Sequence, residues 1–391
     1  MILNNVTLLI AGNLVKRDIY FDEKIRYIKK DLSKGQDCNG LFLMPGLTNA
    51  HAHLSTRVLQ GAAFDMNKYD YFDKVWFKVK KKRSDSEVYK TALLACLESL
   101  KNGVTQVDTM DTAIEPVIKA LEETGLNYSS CLPIKDFHTE ASNVKKSFSK
   151  TLELRKKYGS KIILGLANEF ECTPQLIRKG LDFAREHDIP IHMHACETRE
   201  EVKHIRGLTG KRTIEYLNDI GMLAYDVKLA HCTYADTKDI LYLSENNVPV
   251  LHCPTNNQAI TDNTAPIRDM VRNNVIIQIG TDSFAWNPSA SILKEAWRSH
   301  ELTNASIEQV YEMTHELLTE GVDANFSLVE LSKLRPFSSV SEFLAKLMNI
   351  NAIQSVFLQG KKVIKAGNNM LGIKEDKLLK EVERIKKRLI T

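Results

Sequence analysis

Histidine and acidic residues recur where short apolar segments of this sequence end. His51 and His53 are one residue apart, so on a strand both imidazoles share a face, roughly 7 Å apart along the backbone. His194 and Asp282 lie at the ends of two later apolar segments. Three imidazoles and one carboxylate form a donor set that suits Zn²⁺ or Fe²⁺ better than Mg²⁺ or Ca²⁺. We therefore predict one divalent metal ion, zinc first and Fe(II) as the alternative, bound by His51, His53, His194 and Asp282.

Each predicted ligand has a structural alternative. His51 and His53 could be two chance histidines at a strand end, and Asp282 could cap the helix that follows it. His192 shares a strand face with His194 and could be the third ligand. Because His192 lies deeper in its segment, we expect it to be a hydrogen-bonded interior histidine. The fourth apolar segment offers no lysine for carbamylation between two metals, so a single ion is the simpler expectation.

A metal in such a site lowers the pKa of a bound water toward about 7, and a neighbouring carboxylate can then take the proton. Glu197, three residues after His194, is predicted to move this proton to the substrate. His231 is predicted to orient the hydroxide or to stabilise developing charge. With Asp282 acting in catalysis as well as in metal binding, these residues form the predicted catalytic set.

Eight short apolar segments carry these residues, and most are followed by a stretch long enough for a helix. Their near-continuous apolar character is typical of strands covered on both faces, and the helix-length spacers imply parallel crossovers. The pattern predicts an α/β fold, a (β/α)₈ TIM barrel, whose functional groups lie at the carboxyl ends of the strands. The segments are residues 41–53, 103–108, 129–135, 161–169, 189–197, 227–233, 248–254 and 275–282.

The two ends of the chain do not fit the barrel pattern. Residues 1–44 are predicted to form short strands, and residues 355–365 a hairpin around Gly360. We expect both ends to meet in a small composite β-sandwich domain. The predicted division is 1–44 for the first part of the sandwich, 45–345 for the barrel, and 346–391 for the second part with a C-terminal helix. Helical spacing predicts helices over 85–101, 174–187 and 375–390.

The composition excludes several functional classes. The 391 residues include 53 Lys plus Arg and 49 Asp plus Glu, and the net charge of +4 is too small to indicate a nucleic-acid binder. The apolar run over residues 6–11 is far shorter than the roughly 20 residues that cross a bilayer, so we expect no membrane association. Seven scattered cysteines without a CxxC pair predict reduced thiols and a cytoplasmic protein.

Five motifs together resemble the amidohydrolase superfamily. They are PGLTNAHAHL (45–54), HMHACETREEV (192–202), LAHCTYAD (229–236), LHCPTNN (251–257) and IGTDS (279–283). The branch they resemble includes chlorohydrolases, guanine deaminase and methylthioadenosine/S-adenosylhomocysteine deaminases. The resemblance implies that the four predicted ligands hold one divalent metal, that Glu197 shuttles protons, and that His231 contacts the hydrolytic water or the group it attacks. It also implies a composite β-sandwich beside the barrel.

The sequence departs from these relatives around the expected substrate pocket. Adenosine-type deaminases carry a glutamate after the tryptophan of the region here written KVWFKVKKKR (74–83), where this chain has lysines. The run from Lys78 to Arg83 could meet an anionic substrate, although a solvated face is the simpler interpretation. The predicted substrate-binding residues are Trp76, Asp108, Asn168, Glu169 and His252. Each of them could instead serve in packing, as a helix cap or as a loop charge.

The predicted function is that of a metal-dependent aminohydrolase, in which the activated hydroxide displaces ammonia from an amino-substituted heterocycle of purine, nucleoside or pterin type. A second hypothesis keeps the site but hydrolyses an amide, guanidine or carbon–halogen bond, because the same water serves all of these reactions. A third is a binding protein that has kept the barrel without turnover. The expected partner is a small molecule, and a homodimer is suggested by analogy with other barrels.

Overall fold

The computed structural model describes residues 1–137 and 139–390. The strands are β1 Ile2–Ile10, β2 Asn13–Phe21, β3 Ile25–Lys29, β4 Gln36–Asp37, β5 Leu41–Pro45, β6 Leu47–His53, β7 Val104–Met110, β8 Asn127–Cys131, β9 Pro133–Ile134, β10 Leu164–Leu166, β11 Ile191–Ala195, β12 Val227–His231, β13 Val250–His252, β14 Ile277–Ile279, β15 Asp282–Ser283, β16 Phe326–Glu330, β17 Ile353–Leu358, β18 Lys361–Lys365 and β19 Asn368–Asn369.

The α-helices alternate with the central strands. They are α1 Lys68–Tyr71, α2 Phe77–Lys82, α3 Asp85–Lys101, α4 Ile114–Thr124, α5 Ala141–Tyr158, α6 Pro174–His187, α7 Arg199–Thr209, α8 Thr213–Asp219, α9 Thr237–Glu245, α10 Pro254–Thr261, α11 Ile267–Arg272, α12 Ile292–Thr303, α13 Ile307–Glu312, α14 Leu331–Leu334, α15 Val340–Asn349 and α16 Glu375–Ile390. A π-helical turn, Phe72–Trp76, joins α1 to α2.

Ten parallel strands form a barrel with eight strand positions. β6, β7 and β8 pair in order, and β9 to β14 pair in order. Only Leu132 separates β8 from β9, and only two residues separate β14 from β15, so each of these pairs occupies one position. A parallel bridge between Ser130 and Ile162 joins β8 to the chain entering β10, and β15 pairs with β6 to complete the ring. The predicted (β/α)₈ barrel is confirmed.

Local capping explains why the predicted helices begin and end where they do. Ser84 and Glu87 form a reciprocal capping box at the start of α3, and Thr173 caps α6 by accepting a hydrogen bond from the Leu176 backbone N–H. α3, α6 and α16 have the bounds that the sequence predicted. The amphipathic α16 buries Leu378 and Val382 among other side chains, while its polar face forms ion pairs with α3.

Both ends of the chain contribute to a second sheet, as predicted. Its strands follow the order β19-β18-β17-β16-β5-β1-β2-β3, with β4 paired to β1. Buried side chains from β1, β2, β5, β16 and β17 form a separate apolar core in this β domain. The sheet also includes β16, which lies inside the range 45–345 that the sequence assigned to the barrel, while the division at residues 44 and 345 stays a prediction.

Within the described residues, no helix combines the length and the apolar character that are needed to cross a lipid bilayer.

Gly280 lies between β14 and β15, next to β6, where the last strand position of the barrel meets the first. A Cβ atom at Gly280 would lie 2.8 Å from both the backbone nitrogen and the backbone oxygen of His51. Since these are backbone atoms of β6, they cannot move aside without shifting the strand. The missing side chain therefore allows the close approach that brings Asp282 beside β6.

We predict that Gly280→Ala lowers the free energy of unfolding by about 1–3 kcal/mol, because the new methyl group overpacks the closure of the barrel. The urea midpoint of unfolding measures this effect. Gly207→Ala is the control, because an added Cβ there, in α7, has no heavy atom within 4 Å and alanine favours a helix by up to about 1 kcal/mol. Equal midpoints for the two variants would contradict the prediction.

Candidate active site

Four side chains that the sequence predicted as metal ligands meet at the carboxyl ends of the barrel strands. His53 Nε2 lies 3.1 Å and His51 Nε2 lies 3.5 Å from Asp282 Oδ1. His194 Nε2 lies 3.4 Å from His53 Nε2. The donor atoms of His51, His53 and His194 all lie within 4.8 Å of one another, as do those of His51, His231 and Asp282.

The opposite ring nitrogens of the three histidines are anchored. His53 Nδ1 is hydrogen-bonded to the Met110 carbonyl oxygen, and His194 Nδ1 lies 2.6 Å from the Ala167 carbonyl oxygen. His51 Nδ1 lies 3.0 Å from His192 Nε2. A carbonyl partner makes Nδ1 the donor and leaves the Nε2 lone pair free, which is the usual arrangement behind a metal-bound histidine.

Burial and charge support metal binding by this cluster. Burial lowers the pKa of His51 to about 4 and also lowers that of His194, which keeps both imidazoles neutral. Burial is the largest effect on the pKa of His53 and lowers it, but the hydrogen bond and charge of Asp282, together with Asp111 and the Met110 carbonyl, outweigh it and raise the value to about 9. His51 Nε2 is buried without a hydrogen-bond partner among the described residues. An orphaned nitrogen that faces a buried carboxylate fits one divalent cation.

The backbone at these strand ends is strained. Cys196, His231 and Asp282 have φ values of 52°, 76° and 54°, a left-handed conformation that costs side-chain-bearing residues about 1–3 kcal/mol each. Asn256 supports Asp282 by donating to its Oδ2 at 2.8 Å and to the Ser283 carbonyl oxygen at 3.0 Å. Asn256 was not predicted as a site residue, although it lies in the motif LHCPTNN (251–257).

Glu197 lies beside the cluster in a charged network of its own. Its Oε2 atom is 3.5 Å from His231 Nε2 and 2.5 Å from Lys68 Nζ. Lys68 Nζ also lies 2.6 Å from Glu201 Oε1, and His231 Nδ1 lies 2.9 Å from Asn257 Oδ1. One ammonium group therefore binds two carboxylates inside the cleft.

Lys68 is charged despite its burial. Burial lowers the pKa of Lys68, but Glu197 and Glu201 outweigh that effect and hold the value well above the usual one. Burial raises the pKa of Glu201, and the charge of Lys68 opposes this rise. Neither Lys68, which lies outside any motif, nor Glu201 was predicted as a site residue. Glu201 lies in the motif HMHACETREEV (192–202) and forms a capping box with Thr198.

A cleft of about 890 Å³, including its open mouth, lies above these residues. The segment 68–82 and the loop after β15 supply its aromatic wall, and the loops after β7, β9 and β10 supply most of its polar rim. Among the lining side chains are His53, His194, Glu197, His231, Asp282, Tyr71, Phe72, Trp76, Phe77, Trp286, Lys68, Lys80, Lys135, Asp111, Asn168 and Glu171. Ring, polar and titratable groups thus face the same space.

The predicted substrate-binding residues divide into two groups. Trp76 and Asn168 line the cleft, whereas Asp108, Glu169 and His252 are buried and do not belong to its lining. Asp108 Oδ2 forms an ion pair with Lys228 Nζ at 2.7 Å. Glu169 accepts hydrogen bonds from the Cys196 backbone N–H and the Thr213 hydroxyl, and burial raises its pKa to about 8.

The basic run at residues 78–83 is not uniform. Lys80 lines the cleft, but Lys78, Lys81 and Lys82 are exposed outside it. Arg83 stacks 5.1 Å from the centroid of the Trp76 ring and donates to the Ser55 carbonyl oxygen. The predicted solvated face therefore describes three of the four lysines.

Fold and site together define a barrel protein with a candidate divalent-metal centre at the carboxyl ends of its strands. The model of the amidohydrolase family matches residues 42–363. The chain belongs to the amidohydrolase family, as its motifs predicted.

Relatives by sequence are nucleoside-type deaminases. The chain is 27% identical to 5'-deoxyadenosine deaminase from Methanococcus vannielii, over 96% of this chain and 94% of the relative. It is 28% identical to the 5-methylthioadenosine/S-adenosylhomocysteine deaminase of Thermococcus sibiricus, over 90% of each chain. These identities extend along nearly the whole molecule.

Solved structures confirm the fold, a TIM barrel with an additional domain. A zinc-bound adenosine deaminase from Xanthomonas campestris has a TM-score of 0.87 at 19% identity, with 99% of each chain covered. The zinc complex of the atrazine chlorohydrolase from Arthrobacter aurescens has a TM-score of 0.86 at 17% identity, with 100% of each chain covered. The guanine-bound guanine deaminase of C. acetobutylicum has a TM-score of 0.79 at 18% identity, covering 93% of this chain and 99% of that one.

We predict that the purified protein contains about one divalent metal per chain, and that His53→Ala and Asp282→Asn each lower the affinity at least about 10-fold, because each removes a donor from the cluster. Elemental analysis and zinc titration measure the loss. His187→Ala, at the end of α6 away from the cleft, is the control. Wild-type metal content in His53→Ala and Asp282→Asn would rule out the site.

Proposed function

We propose that this protein is a metal-dependent aminohydrolase that releases ammonia from an amino-substituted heterocycle of purine-nucleoside or pterin type. Membership of the amidohydrolase family and the deaminase names of its relatives support this class of C–N hydrolase. The observation that carries the proposal is the carboxylate of Glu197, which lies in the cleft beside the histidine cluster and contacts both His231 and Lys68. The substrate is a small molecule, in keeping with the size of the cleft.

We assign His51, His53, His194 and Asp282 to one divalent metal, with zinc preferred over Fe(II). When bound, such a metal supplies a water of lowered pKa at the floor of the cleft. His192, Met110 and Ala167 hold the rings of the three histidines from behind. This support keeps the donor atoms directed at one point, which lowers the reorganisation that binding requires.

Glu197 is the proposed proton carrier. Its Oε2 atom can take a proton from water and deliver it to the substrate nitrogen that leaves as ammonia. We assign His231 the role of stabilising the charge that develops on the substituents of the attacked carbon. Asn257 holds the His231 ring through its Nδ1 atom. We assign no direct substrate contact to Asp108, Glu169 or His252, because none of them lines the cleft.

Lys68 is proposed as a positioning residue for Glu197. Its ammonium lies between two buried carboxylates that would otherwise repel each other. The same short helix α1 leads into the π-helical turn that carries part of the aromatic wall. Binding of a ring against that wall would therefore fix Lys68, and through it the carboxylate of Glu197.

The aromatic wall is suited to a flat heterocycle. Tyr71 and Trp286 lie 4.5 Å apart between ring centroids, and Trp76 is almost fully buried behind the cleft surface. Flat π-systems bind such surfaces by offset stacking. Asn168 adds a side-chain amide at the rim for hydrogen bonding to ring nitrogen or oxygen atoms.

Hydrolysis of an amide, guanidine or carbon–halogen bond is the second candidate. The fold match to the atrazine chlorohydrolase keeps this candidate open, because the same activated water and proton carrier would serve another leaving group. Analysis of the released product separates these reactions.

A cytoplasmic location and a homodimeric state also belong to the proposal. Light scattering tests the homodimeric state.

We predict that Glu197→Gln lowers kcat by about 10²–10⁴-fold, since the amide cannot carry the proton, while the metal content stays at the wild-type level. Ammonia release is measured with purines, pterins, pyrimidines and triazines. Glu200→Gln, at an exposed position of α7, is the matched control. If metal-replete wild type releases no ammonia from any compound, the proposed function fails.

We also predict that Lys68→Met lowers kcat about 10- to 100-fold and that Lys68→Arg recovers part of the rate, because arginine keeps a charge for both carboxylates. Loss of the ammonium lets burial raise the pKa of Glu201 further. Because Lys68 joins Glu201 to the proposed proton carrier Glu197, we expect the activity of Lys68→Met to decline at a higher pH on the acidic side than that of wild type. A pH profile unchanged from wild type would indicate a purely structural role.

A further inference from the structure

Three lysines line the cleft, and they differ in how their charge is neutralised. Lys68 binds two carboxylates, those of Glu197 and Glu201. Lys135 forms one ion pair, with Glu171. The ammonium of Lys80 has no hydrogen-bond or ion-pair partner within residues 1–137 and 139–390. Among the lysines that line the cleft, the unpaired positive charge is therefore that of Lys80.

Lys80 and Lys135 lie together at the mouth of the cleft. Phe77 and Lys80 are three residues apart on α2, which places them on neighbouring positions of one helix face. Lys135, which follows β9, has its Nζ atom 5.9 Å from the centroid of the Phe77 ring. Burial and then the charge of Lys135 lower the pKa of Lys80, and the charge of Glu171 opposes them. Both lysines line the same cleft.

Among the described residues, Glu171 is the only carboxylate that forms an ion pair with either ammonium group. Glu171 has its side chain 25% exposed and pairs with Lys135, so the lysine pair keeps an excess positive charge. The charge of Arg83 also lowers the pKa of Lys80, but the guanidinium is used on the Ser55 carbonyl and the Trp76 ring. Two like charges at a partly buried mouth repel each other, and an anion placed between them would remove that cost.

The other lysines of the same run show that this position is selective. Lys78, Lys80, Lys81 and Lys82 are all exposed, but of these four only Lys80 lines the cleft. A solvated charged face explains Lys78, Lys81 and Lys82. It does not explain a lysine that faces an aromatic-walled cleft beside a second lysine.

We propose that the substrate carries an anionic group, a carboxylate or a phosphate, which Lys80 and Lys135 bind at the mouth while the amino-heterocycle lies against the aromatic wall above Glu197. The reacting ring in this inference rests on the proposed function. The anionic group does not, because it is inferred from Lys80 and Lys135. The aromatic wall and both lysines line one cleft that is open at its mouth, so a single ligand can contact all of them. Charge-assisted hydrogen bonds from two ammonium groups would select the charged form of such a compound over its neutral counterpart.

Binding to holoenzyme that carries Glu197→Gln tests the inference without turnover. Calorimetry compares two pairs of compounds, adenosine with adenosine 5'-monophosphate and pterin with pterin-6-carboxylate. The first pair reports on a phosphate and the second on a carboxylate. We expect at least one anionic member to bind about 10-fold or more tightly than its neutral counterpart. Raising the salt concentration from about 50 to about 500 mM should lower the ratio of anionic to neutral affinity.

Lys80→Met and Lys135→Met, each added to Glu197→Gln, should reduce the ratio of anionic to neutral affinity about 10-fold. Lys78→Met removes the same charge from the same helix outside the cleft, and it should leave the ratio unchanged. The inference is overturned if neither anionic compound binds more tightly than its neutral counterpart, or if Lys78→Met reduces the ratio as much as Lys80→Met. Failure of the proposed function is a separate observation, the absence of ammonia release by wild type.

Discussion

The active site depends on the contact between the first and last positions of the barrel. β15 pairs with β6 so that Asp282 lies opposite Ala52 and Ser283 lies opposite His53. This register brings the Asp282 carboxylate within 3.1 Å of an imidazole more than 200 residues earlier in the chain. Without this contact, a cluster of histidines would remain, but no anion would balance a cation among them. The strand pairing that closes the barrel therefore also completes the candidate metal site.

The same contact explains two costly features of the chain near the site. Gly280 has no side chain because the backbone of β6 occupies the space that a Cβ would need. Asp282 adopts a left-handed conformation at φ 54°, which turns its carboxylate toward the histidines, and Asn256 holds it there. Such strain persists only where surrounding interactions compensate for it. Here the compensation comes from a buried hydrogen-bond network at the end of the barrel.

Much of the fold could be predicted because its signals are local. Apolar residues at helical spacing mark α3 and α6 in the sequence, and the bounds predicted from them match those of the structure. The predicted metal ligands meet because parallel strands end at one edge of a barrel. This rule needs only the order of the segments and the residue at each end.

Other parts of the site could not be predicted, since they depend on the direction of side chains. Asp108 and Glu169 follow apolar segments as the predicted ligands do, yet an ion pair and two hydrogen bonds hold them away from the cleft lining. Lys68 lies in a four-residue helix followed by a π-helical turn, a segment without amphipathic periodicity. Its two carboxylate partners are more than 120 residues away. β16 likewise joins the sheet of the chain ends through non-local pairing.

The residues of the candidate metal site lie at the floor of the cleft, and the residues proposed to determine substrate choice lie at its mouth. His51 and Asp282 at the floor are almost fully buried, and each contacts several other polar groups of the site. A substitution at either position would leave buried partners unpaired, which costs stability as well as activity. Lys80 and Phe77 at the mouth are exposed, so their replacement disturbs few interactions in the folded state. Because exposed positions tolerate change at little cost in folding free energy, substitutions at Phe77 and Lys80 can alter the mouth of the cleft without disturbing its floor. The segment of residues 68–82, which contains Phe77 and Lys80, also contains Lys68. Lys68 contacts Glu197, the proposed proton carrier, so the residues at the mouth and the group that moves the proton are joined through one short segment.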